Sequence, residues 1–188
     1  MIAGILLAAG ASSRFGSNKL LHPLSDGTPI AAAAARNLKH AVERVLAVIR
    51  PGDHVLAQRL QAEGLEIVVC SNAAAGMGHS LACGVAAASD ADGWLIALAD
   101  MPFVSSETFR TVVRHLEAGA TVAAPSFNGQ RGHPVGFGRS FYAELLALAG
   151  DSGARILLTR HASEVKLFEC DDKSICRDID TPADLRAL

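Results

Sequence analysis

A loop near the start of the chain combines small residues with two positive charges. The stretch from Leu7 to Lys19 reads LAAGASSRFGSNK and follows a run of apolar residues. Small residues let backbone N–H groups approach an anion closely, and Arg14 and Lys19 supply charge that neutralises it. The loop is therefore suited to a phosphate-bearing ligand, although an ordinary surface loop with two solvated cations accounts for the same composition.

Two other phosphate-binding patterns are absent. The pattern GxxxxGK[ST] fails because Gly10 and Gly16 are one residue too far apart and Lys19 does not follow Gly16 directly. The dinucleotide pattern GxGxxG does not occur either. These absences disfavour a P-loop protein and a hydride-transferring Rossmann enzyme.

Carboxylates occur at two places where they could hold a cation. Asp100 follows the apolar run Trp94 to Leu98, and Asp178 and Asp180 share one side of the chain if it is extended. Mg²⁺ takes one or two carboxylates together with substrate phosphate oxygens and water. We therefore expect Asp100 and one of the two later aspartates to bind Mg²⁺, with a turn aspartate and a solvated acidic pair as the alternatives.

Two further polar segments could contact substrates. Gly76 and Gly78 allow a flat base to lie against the backbone, and Ser80 can hydrogen-bond a base edge. Arg131 and His133 could hold a second substrate, while a surface or capping role is the alternative for the histidine.

Composition limits the class of protein. The chain has 188 residues, a net charge of −2, 50% hydrophobic and 19% charged side chains. This predicts one folded domain over residues 1–188 and leaves no broad basic face for nucleic acid. No apolar run approaches the roughly 20 residues that cross a bilayer, so we expect no membrane association. The first residues lack the basic segment of a secretory signal, which predicts a cytoplasmic protein, and the four cysteines are expected to be reduced.

Short apolar runs alternate with helical segments along the whole chain. This alternation predicts an α/β fold, a doubly wound three-layer α/β/α sandwich with a mainly parallel sheet. Thr28 is expected to cap the first helix and Ser105 a later one, residues 125–134 to form a loop, and residues 182–188 a closing helix. In open sheets of this kind, ligands bind beyond the carboxyl ends of the strands, where all of the segments above are expected.

The motifs resemble those of the MobA-like nucleotidyltransferase family, which has a Rossmann-like fold, and within it the molybdenum cofactor cytidylyltransferase branch. The resemblance covers nearly the whole chain. It rests on LAAGASSRFGSNK at 7–19, GMGHSL at 76–81, LADMP at 98–102, RGHPV at 131–135, GDSGAR at 150–155 and DIDTPAD at 178–184.

The resemblance implies transfer of a nucleoside monophosphate from an NTP with Mg²⁺ to molybdopterin or its metallated form, with release of pyrophosphate. Ala9 stands where the cytidylyl branch has LAAG rather than LAGG, which favours CTP over GTP, and Asn18 replaces an aspartate common in the guanylyl branch. The implied site residues fall into four groups. They are Arg14, Lys19 and Asp100 for catalysis, Leu7, Ala8, Ala9, Gly10, Gly76 and Ser80 for the nucleotide, Asp100, Asp178 and Asp180 for the metal, and Arg131, His133, Asp151 and Arg155 for the acceptor.

Two alternatives remain at this stage. The same chemistry could use GTP, or a sugar phosphate or polyol phosphate as acceptor. The second alternative, from another functional class, is a non-catalytic carrier that delivers the pterin cofactor to a molybdoenzyme client. Such a carrier has no need of a site for a metal and a triphosphate.

Overall fold

Eight strands form one mixed sheet. The structure, a computed structural model, describes residues 1–10, 15 and 18–187. The strands are β1 (Ile2–Leu7), β2 (Arg44–Ile49), β3 (Glu66–Val69), β4 (Gly93–Leu98), β5 (Val122–Phe127), β6 (Gln130–Arg131), β7 (Val135–Gly138) and β8 (Val165–Glu169). Their order is β3-β2-β1-β4-β7-β5-β6, and β8 pairs with β5.

The first four strands are parallel and carry the central part of the sheet. Ile5 of β1 lies in register with Leu46 of β2 on one side and with Ile96 of β4 on the other. Strands β1, β2 and β4 are largely buried, and their sequences are nearly continuous apolar runs, whereas β3 lies at the edge of the sheet and is partly exposed. Their carboxyl ends meet at one edge, which is where the candidate site lies.

The second half of the sheet departs from the parallel pattern. Strand β7 runs antiparallel between β4 and β5. The predicted loop over residues 125–134 is wrong in part, because β5 continues to Phe127 and pairs with β6. Asn128 and Gly129 both have positive φ, 50° and 76°, which is the geometry of a tight two-residue hairpin turn.

Within the described ranges, six helices cover the two faces of the sheet. They are α1 (Ile30–Lys39), α2 (His54–Ala62), α3 (Met77–Ala87), α4 (Ser106–Glu117), α5 (Tyr142–Leu146) and α6 (Arg155–Arg160). Buried side chains of α1, α2 and α4 join one apolar cluster, and those of α3, α5 and α6 join the other. Adjacent residues of β1 alternate between them, with Leu6 in the first and Ile5 in the second. The expected three-layer α/β/α architecture is confirmed.

The predicted helix ends are partly right. Ser105 caps α4, and its hydroxyl oxygen accepts from Thr108 N at 3.1 Å. Thr28 does not cap α1, because its carbonyl accepts from Leu24 N in the preceding turn and the helix begins after Pro29. The closing segment is a short 3-10 turn at Asp184–Ala187 rather than a helix from residue 182. Of the helices in the described ranges, none has the length and apolar content needed to cross a membrane.

Candidate active site

A cleft of about 620 Å³ opens at the carboxyl ends of the parallel strands. Loops after β1, β2, β3 and β4 contribute to it, as expected for an open α/β sheet. The residues that line it are Leu7, Ala9, Gly10, Lys19, Leu20, Arg50, Ala73, Ala74, Gly76, Met77, Ser80, Leu98, Asp100, Asp151, Asp178 and Asp180.

Lys19 holds two aspartates at the floor of this cleft. Its Nζ lies 2.8 Å from Asp100 Oδ2 and 3.1 Å from Asp180 Oδ1. Lys19 is only 8% exposed, so burial by itself lowers the pKa of its ammonium group. The hydrogen bonds and negative charges of Asp100 and then Asp180 outweigh burial and raise the pKa above its ordinary value. Lys19 is therefore positively charged at neutral pH.

Local structure fixes the backbone of Lys19. Residues Lys19–Leu21 form a single 3-10 turn, and the Asn18 side chain accepts from Leu20 N at 3.2 Å. Leu20 is buried in the apolar core. The turn therefore anchors the main chain and leaves the long lysine side chain to reach the carboxylates.

The segment that supplies Asp178 and Asp180 is docked against the end of β4. Ile179 N donates to Asp100 O at 2.9 Å, and the Ile175 and Ile179 side chains are buried. Asp184 Oδ2 accepts from the backbone N–H groups of Asp180 and Thr181, which closes the following turn. Apolar burial and backbone pairing thus bring two late carboxylates to the strand end that carries Asp100.

The three aspartates together offer a set of metal ligands. One carboxylate oxygen from each of Asp100, Asp178 and Asp180 lies within 4.8 Å of the others. Carboxylate oxygens are the ligands that hard divalent cations prefer, and a cleft beside them leaves room for phosphate oxygens and water. The donor set therefore fits Mg²⁺ or Mn²⁺.

Two glycine-containing loops form the opposite wall of the cleft. Gly76 has a φ of +122°, and a Cβ there would lie 2.3 Å from the Gly150 carbonyl carbon and 2.7 Å from Asp151 Oδ1. Gly78 N donates to Gly150 O at 2.8 Å, which fastens the start of α3 to the second loop. Only glycine fits at position 76, and Gly76 lines the cleft together with Met77 and Ser80.

A second cavity of about 140 Å³ adjoins the cleft. The two share Leu7, Met77 and Leu98 in their walls. The smaller cavity is lined by Leu7, Met77, Leu81, Ile96, Leu98, Arg131, His133, Val135, Ser152, Ala154, Arg155 and Leu158. An apolar ridge therefore separates the aspartate cluster from a chamber that carries two arginines and a histidine.

The RGHP segment is held tightly against the chain that precedes Asp178. A Cβ on Gly132 would lie 2.3 Å from Ile175 O, so no larger residue fits there. His133 N donates to the same carbonyl at 2.9 Å, and Gly132 N donates to Pro125 O at 3.0 Å. Arg131 and His133 are thus positioned by the segment that also delivers the late aspartates.

The electrostatics of the smaller cavity favour an anion. Burial, and then the positive charge of Arg155, lower the pKa of Arg131. Burial, and then the charge of Arg131, lower the pKa of His133 to about 4, against a weaker opposing effect of Asp178. His133 is therefore neutral at pH 7, and its buried Nδ1 has no hydrogen-bond partner in the described part of the chain. Two neighbouring guanidinium groups and an unsatisfied ring nitrogen are groups that a polar, negatively charged ligand would satisfy.

The structure brings most of the expected site residues to these two cavities. Ten line the larger cleft, namely Leu7, Ala9, Gly10, Lys19, Gly76, Ser80, Asp100, Asp151, Asp178 and Asp180, and Arg131, His133 and Arg155 line the smaller cavity. Ala8 is buried and is absent from both linings. Asp151, expected at the acceptor, lies in the larger cleft. Arg14 falls outside the described residues.

Arg50 is a cleft residue that the sequence analysis missed. It directly follows β2 and lines the larger cleft, with Nε 3.4 Å from Asp53 Oδ2. The signal that could have found it is its place after a buried parallel strand, because residues at that position border the ligand cleft in open sheets.

Comparison with known proteins agrees with this geometry. Residues 4–165 match the MobA-like NTP transferase domain. The chain belongs to the MobA-like NTP transferase family. Two relatives span nearly its full length: nicotine blue oxidoreductase of Paenarthrobacter nicotinovorans is 33% identical, and the purine catabolism protein PucB of Bacillus subtilis (strain 168) is 32% identical, each match covering 96% of this chain and 92% of the relative.

Two solved structures superpose over the whole chain. Rv0371c of Mycobacterium tuberculosis H37Rv in complex with manganese has a TM-score of 0.81 at 26% identity and covers 100% of this chain and 97% of its own. A nucleotidyl transferase of Methanothermobacter thermautotroptrophicus has a TM-score of 0.83 at 25% identity, with 100% and 95% covered. The family resemblance is confirmed and nucleotidyltransferase chemistry is supported. The carboxylate cluster is consistent with a divalent metal, and Rv0371c was solved with manganese.

The buried neutral histidine predicts a pH dependence of stability. Because the pKa of His133 is about 4 in the folded protein and about 6.5 in an unfolded chain, the unfolded state binds more protons between these values. The free energy of unfolding should therefore fall as pH drops from about 6.5 to about 4, by up to about 3 kcal/mol from this group.

Urea unfolding of the metal-free protein at several pH values measures this effect. The His133→Asn variant should lose much of the slope over that interval, whereas the same change at the exposed His40 should keep it. An unchanged slope in His133→Asn would contradict the assignment.

Proposed function

We propose that the protein transfers CMP from CTP to a molybdopterin-type phosphate acceptor and releases pyrophosphate. The observation that carries the proposal is the cluster of Lys19 with Asp100 and Asp180 in a cleft that adjoins a cavity with Arg131 and Arg155. The larger cleft supplies carboxylates for a metal and a lysine for a triphosphate. The smaller cavity supplies two arginines for a second anion.

The larger cleft is assigned to the donor nucleotide. Gly76 presents backbone against which a flat base can lie, and Ser80 provides a hydroxyl at the same wall. Ala9 lines the cleft, and by resemblance to the LAAG motif it favours CTP. The volume of about 620 Å³ lies in the ordinary range for a nucleotide-sized ligand.

Asp100, Asp178 and Asp180 would hold Mg²⁺ here. When bound, the metal supplies Lewis-acid stabilisation of charge on the phosphate oxygens. Lys19 lies at the same floor of the cleft and contributes a second positive charge. Arg14 is proposed, by resemblance alone, to add a third.

The smaller cavity is assigned to the acceptor. Arg131 and Arg155 would bind its anionic group, and the buried Nδ1 of His133 would hydrogen-bond a polar atom of the same ligand. Leu7, Met77 and Leu98 belong to both walls, so the acceptor phosphate would meet the donor at this apolar ridge. Asp151 was expected to contact the acceptor, but it lines the larger cleft and not the smaller cavity, so we assign it to the donor side.

The reaction joins two anions. An acceptor phosphate oxygen attacks the α-phosphorus, a new P–O bond forms, and the bond between the α-phosphorus and the bridging oxygen breaks to release pyrophosphate. No side-chain nucleophile is needed, because the barrier arises from charge repulsion and orientation. Lys19 and the two arginines lower that repulsion, while the loops at Gly76 and Gly132 hold both partners in fixed positions.

A transfer assay tests the proposal. The protein is incubated with Mg²⁺, molybdopterin and either CTP or GTP labelled at the α-phosphate, and label on the pterin is measured together with pyrophosphate release. We expect CTP to be preferred by about tenfold or more, the discrimination expected of hydrogen bonds to a base edge. A preference for GTP would contradict the choice of donor, and transfer only to a sugar phosphate or polyol phosphate would contradict the choice of acceptor.

One relative's name favours a second candidate. The protein of Paenarthrobacter nicotinovorans, 33% identical, is called an oxidoreductase. A reductase of this fold would bind NADH or NADPH in the larger cleft and would oxidise it without consuming CTP. The carboxylate cluster around Lys19 serves no hydride transfer, and GxGxxG is absent from the sequence. The same assay with NADPH in place of CTP separates the two.

Removing the strand-end carboxylate should abolish turnover without unfolding the protein. Asp100→Asn keeps the shape of the side chain but loses its charge, and we expect a loss of about 10²–10³ in kcat, as when one preorganised transition-state contact is removed. Lys19→Ala should cost about as much. The matched control is Asp171→Asn, an exposed aspartate that lines neither cavity. Turnover of Asp100→Asn near that of the control would remove Asp100 from the mechanism.

Arg131 should act on the acceptor alone. Arg131→Met keeps the apolar stem and removes the charge, so the KM for the acceptor should rise by about tenfold or more while the Kd for CTP stays unchanged. Arg160→Met is the matched control, because Arg160 is exposed on α6 and pairs with Glu144. Calorimetry gives the Kd, and a parallel loss of CTP affinity in Arg131→Met would argue against separate cavities.

A further inference from the structure

Lys19 uses the same carboxylates that are assigned to the metal. Its Nζ is 2.8 Å from Asp100 Oδ2 and 3.1 Å from Asp180 Oδ1, and both residues belong to the three-aspartate set. An ammonium group that neutralises these carboxylates repels a divalent cation placed beside them. A metal bound there would in turn weaken the ion pairs that Asp100 and Asp180 make with Lys19.

We infer that Lys19 is an internal counter-ion that competes with the divalent metal for Asp100 and Asp180, and that it is freed to bind the nucleotide's phosphates when the metal binds. The inference rests on the proposed function, since it assumes the metal site and the triphosphate. It adds that binding of the metal and binding of the nucleotide are coupled, which neither site shows by itself.

The cost of moving Lys19 explains why the coupling should be strong. Lys19 is 8% exposed, and a buried ammonium group that loses its carboxylate partners is destabilised unless another anion takes their place. A triphosphate in the cleft is such an anion. Metal alone therefore weakens the ion pairs of Lys19 with Asp100 and Asp180 without giving Lys19 another anion. Metal bound together with nucleotide supplies the triphosphate as that anion.

The local structure permits this exchange. The 3-10 turn and buried Leu20 hold the backbone of Lys19, so only its flexible side chain has to move. Lys19 and Gly10 both line the cleft, which puts the ammonium group within the space assigned to the nucleotide. Because coupling between two ligands is reciprocal, nucleotide should tighten metal binding as much as metal tightens nucleotide binding.

Mn²⁺ titration of a lysine variant tests the inference. Lys19→Met retains the apolar stem and removes the competing charge, and isothermal titration calorimetry with MnCl₂ at pH 7.5 measures the affinity without nucleotide. We expect Mn²⁺ to bind the variant about 10-fold or more tightly than the wild type, because one nearby opposite charge typically alters the proton affinity of a carboxylate by that factor. CTP should tighten Mn²⁺ binding in the wild type and have much less effect in the variant.

Two controls make the result specific. Lys39→Met removes an exposed lysine that lines neither cavity, and it should bind Mn²⁺ as the wild type does. Asp100→Asn should lose most Mn²⁺ binding, which locates the measured ion at the cluster. Thermal unfolding of each variant verifies that it is folded.

The outcomes separate this inference from the proposed function. Equal or weaker Mn²⁺ binding by folded Lys19→Met, with binding still lost in Asp100→Asn, would overturn the competition and leave the metal centre in place. Failure of the wild type, Lys19→Met and Asp100→Asn alike to bind Mn²⁺ would overturn both the metal centre and the competition.

Discussion

Repulsion between carboxylates governs this site. Asp100, Asp178 and Asp180 come within 4.8 Å of one another, and Lys19 is the described cation in direct contact with two of them. Holding like charges together and partly buried costs on the order of several kcal/mol. Burial of Ile175 and Ile179 contributes about 1.5–3 kcal/mol each, which is of the same order and helps to keep the late segment docked. Apolar anchoring and one lysine thus hold a charged cluster in place.

The direction and order of the strands determine that the two cavities are neighbours. Strands β1 to β4 are parallel and end at one edge, where the larger cleft lies. The antiparallel strand β7 follows directly on Arg131 and His133 and lies beside β4, which puts the second cavity next to the first. A wholly parallel sheet would have sent that segment across the face through a helix instead. The reversal at β7 is therefore what makes the two cavities neighbours.

Much of the fold could be predicted because buried parallel strands appear in a sequence as short apolar runs. Strand β4, for example, covers the apolar run Trp94 to Leu98 and begins one residue before it. The hairpin of β5 and β6 was missed because Pro125 and the polar residues around Asn128 are typical of a loop as well as of a tight turn. Long-range pairing decides between the two, and local sequence carries no information about it.

The sequence indicated most of the individual site residues, but it did not indicate the contacts that bring them together. Spacing indicated that Asp178 and Asp180 share one side, but their meeting with Asp100 depends on the backbone pairing of Ile179. Asp151 was assigned to the acceptor by resemblance, and loop packing against Gly76 turns it toward the other cavity. Arg50 was missed because it carries no motif.

The order of the elements along the chain has a consequence for how the centre matures. Lys19 and Asp100 form a neutral pair, and the cluster acquires two surplus negative charges only when the segment bearing Asp178 and Asp180 docks, after all eight strands in chain order. The sheet can therefore form before this edge carries the surplus negative charge that would attract a divalent cation. Under the proposed metal site, only a chain whose segment with Asp178 and Asp180 has docked would hold the ion.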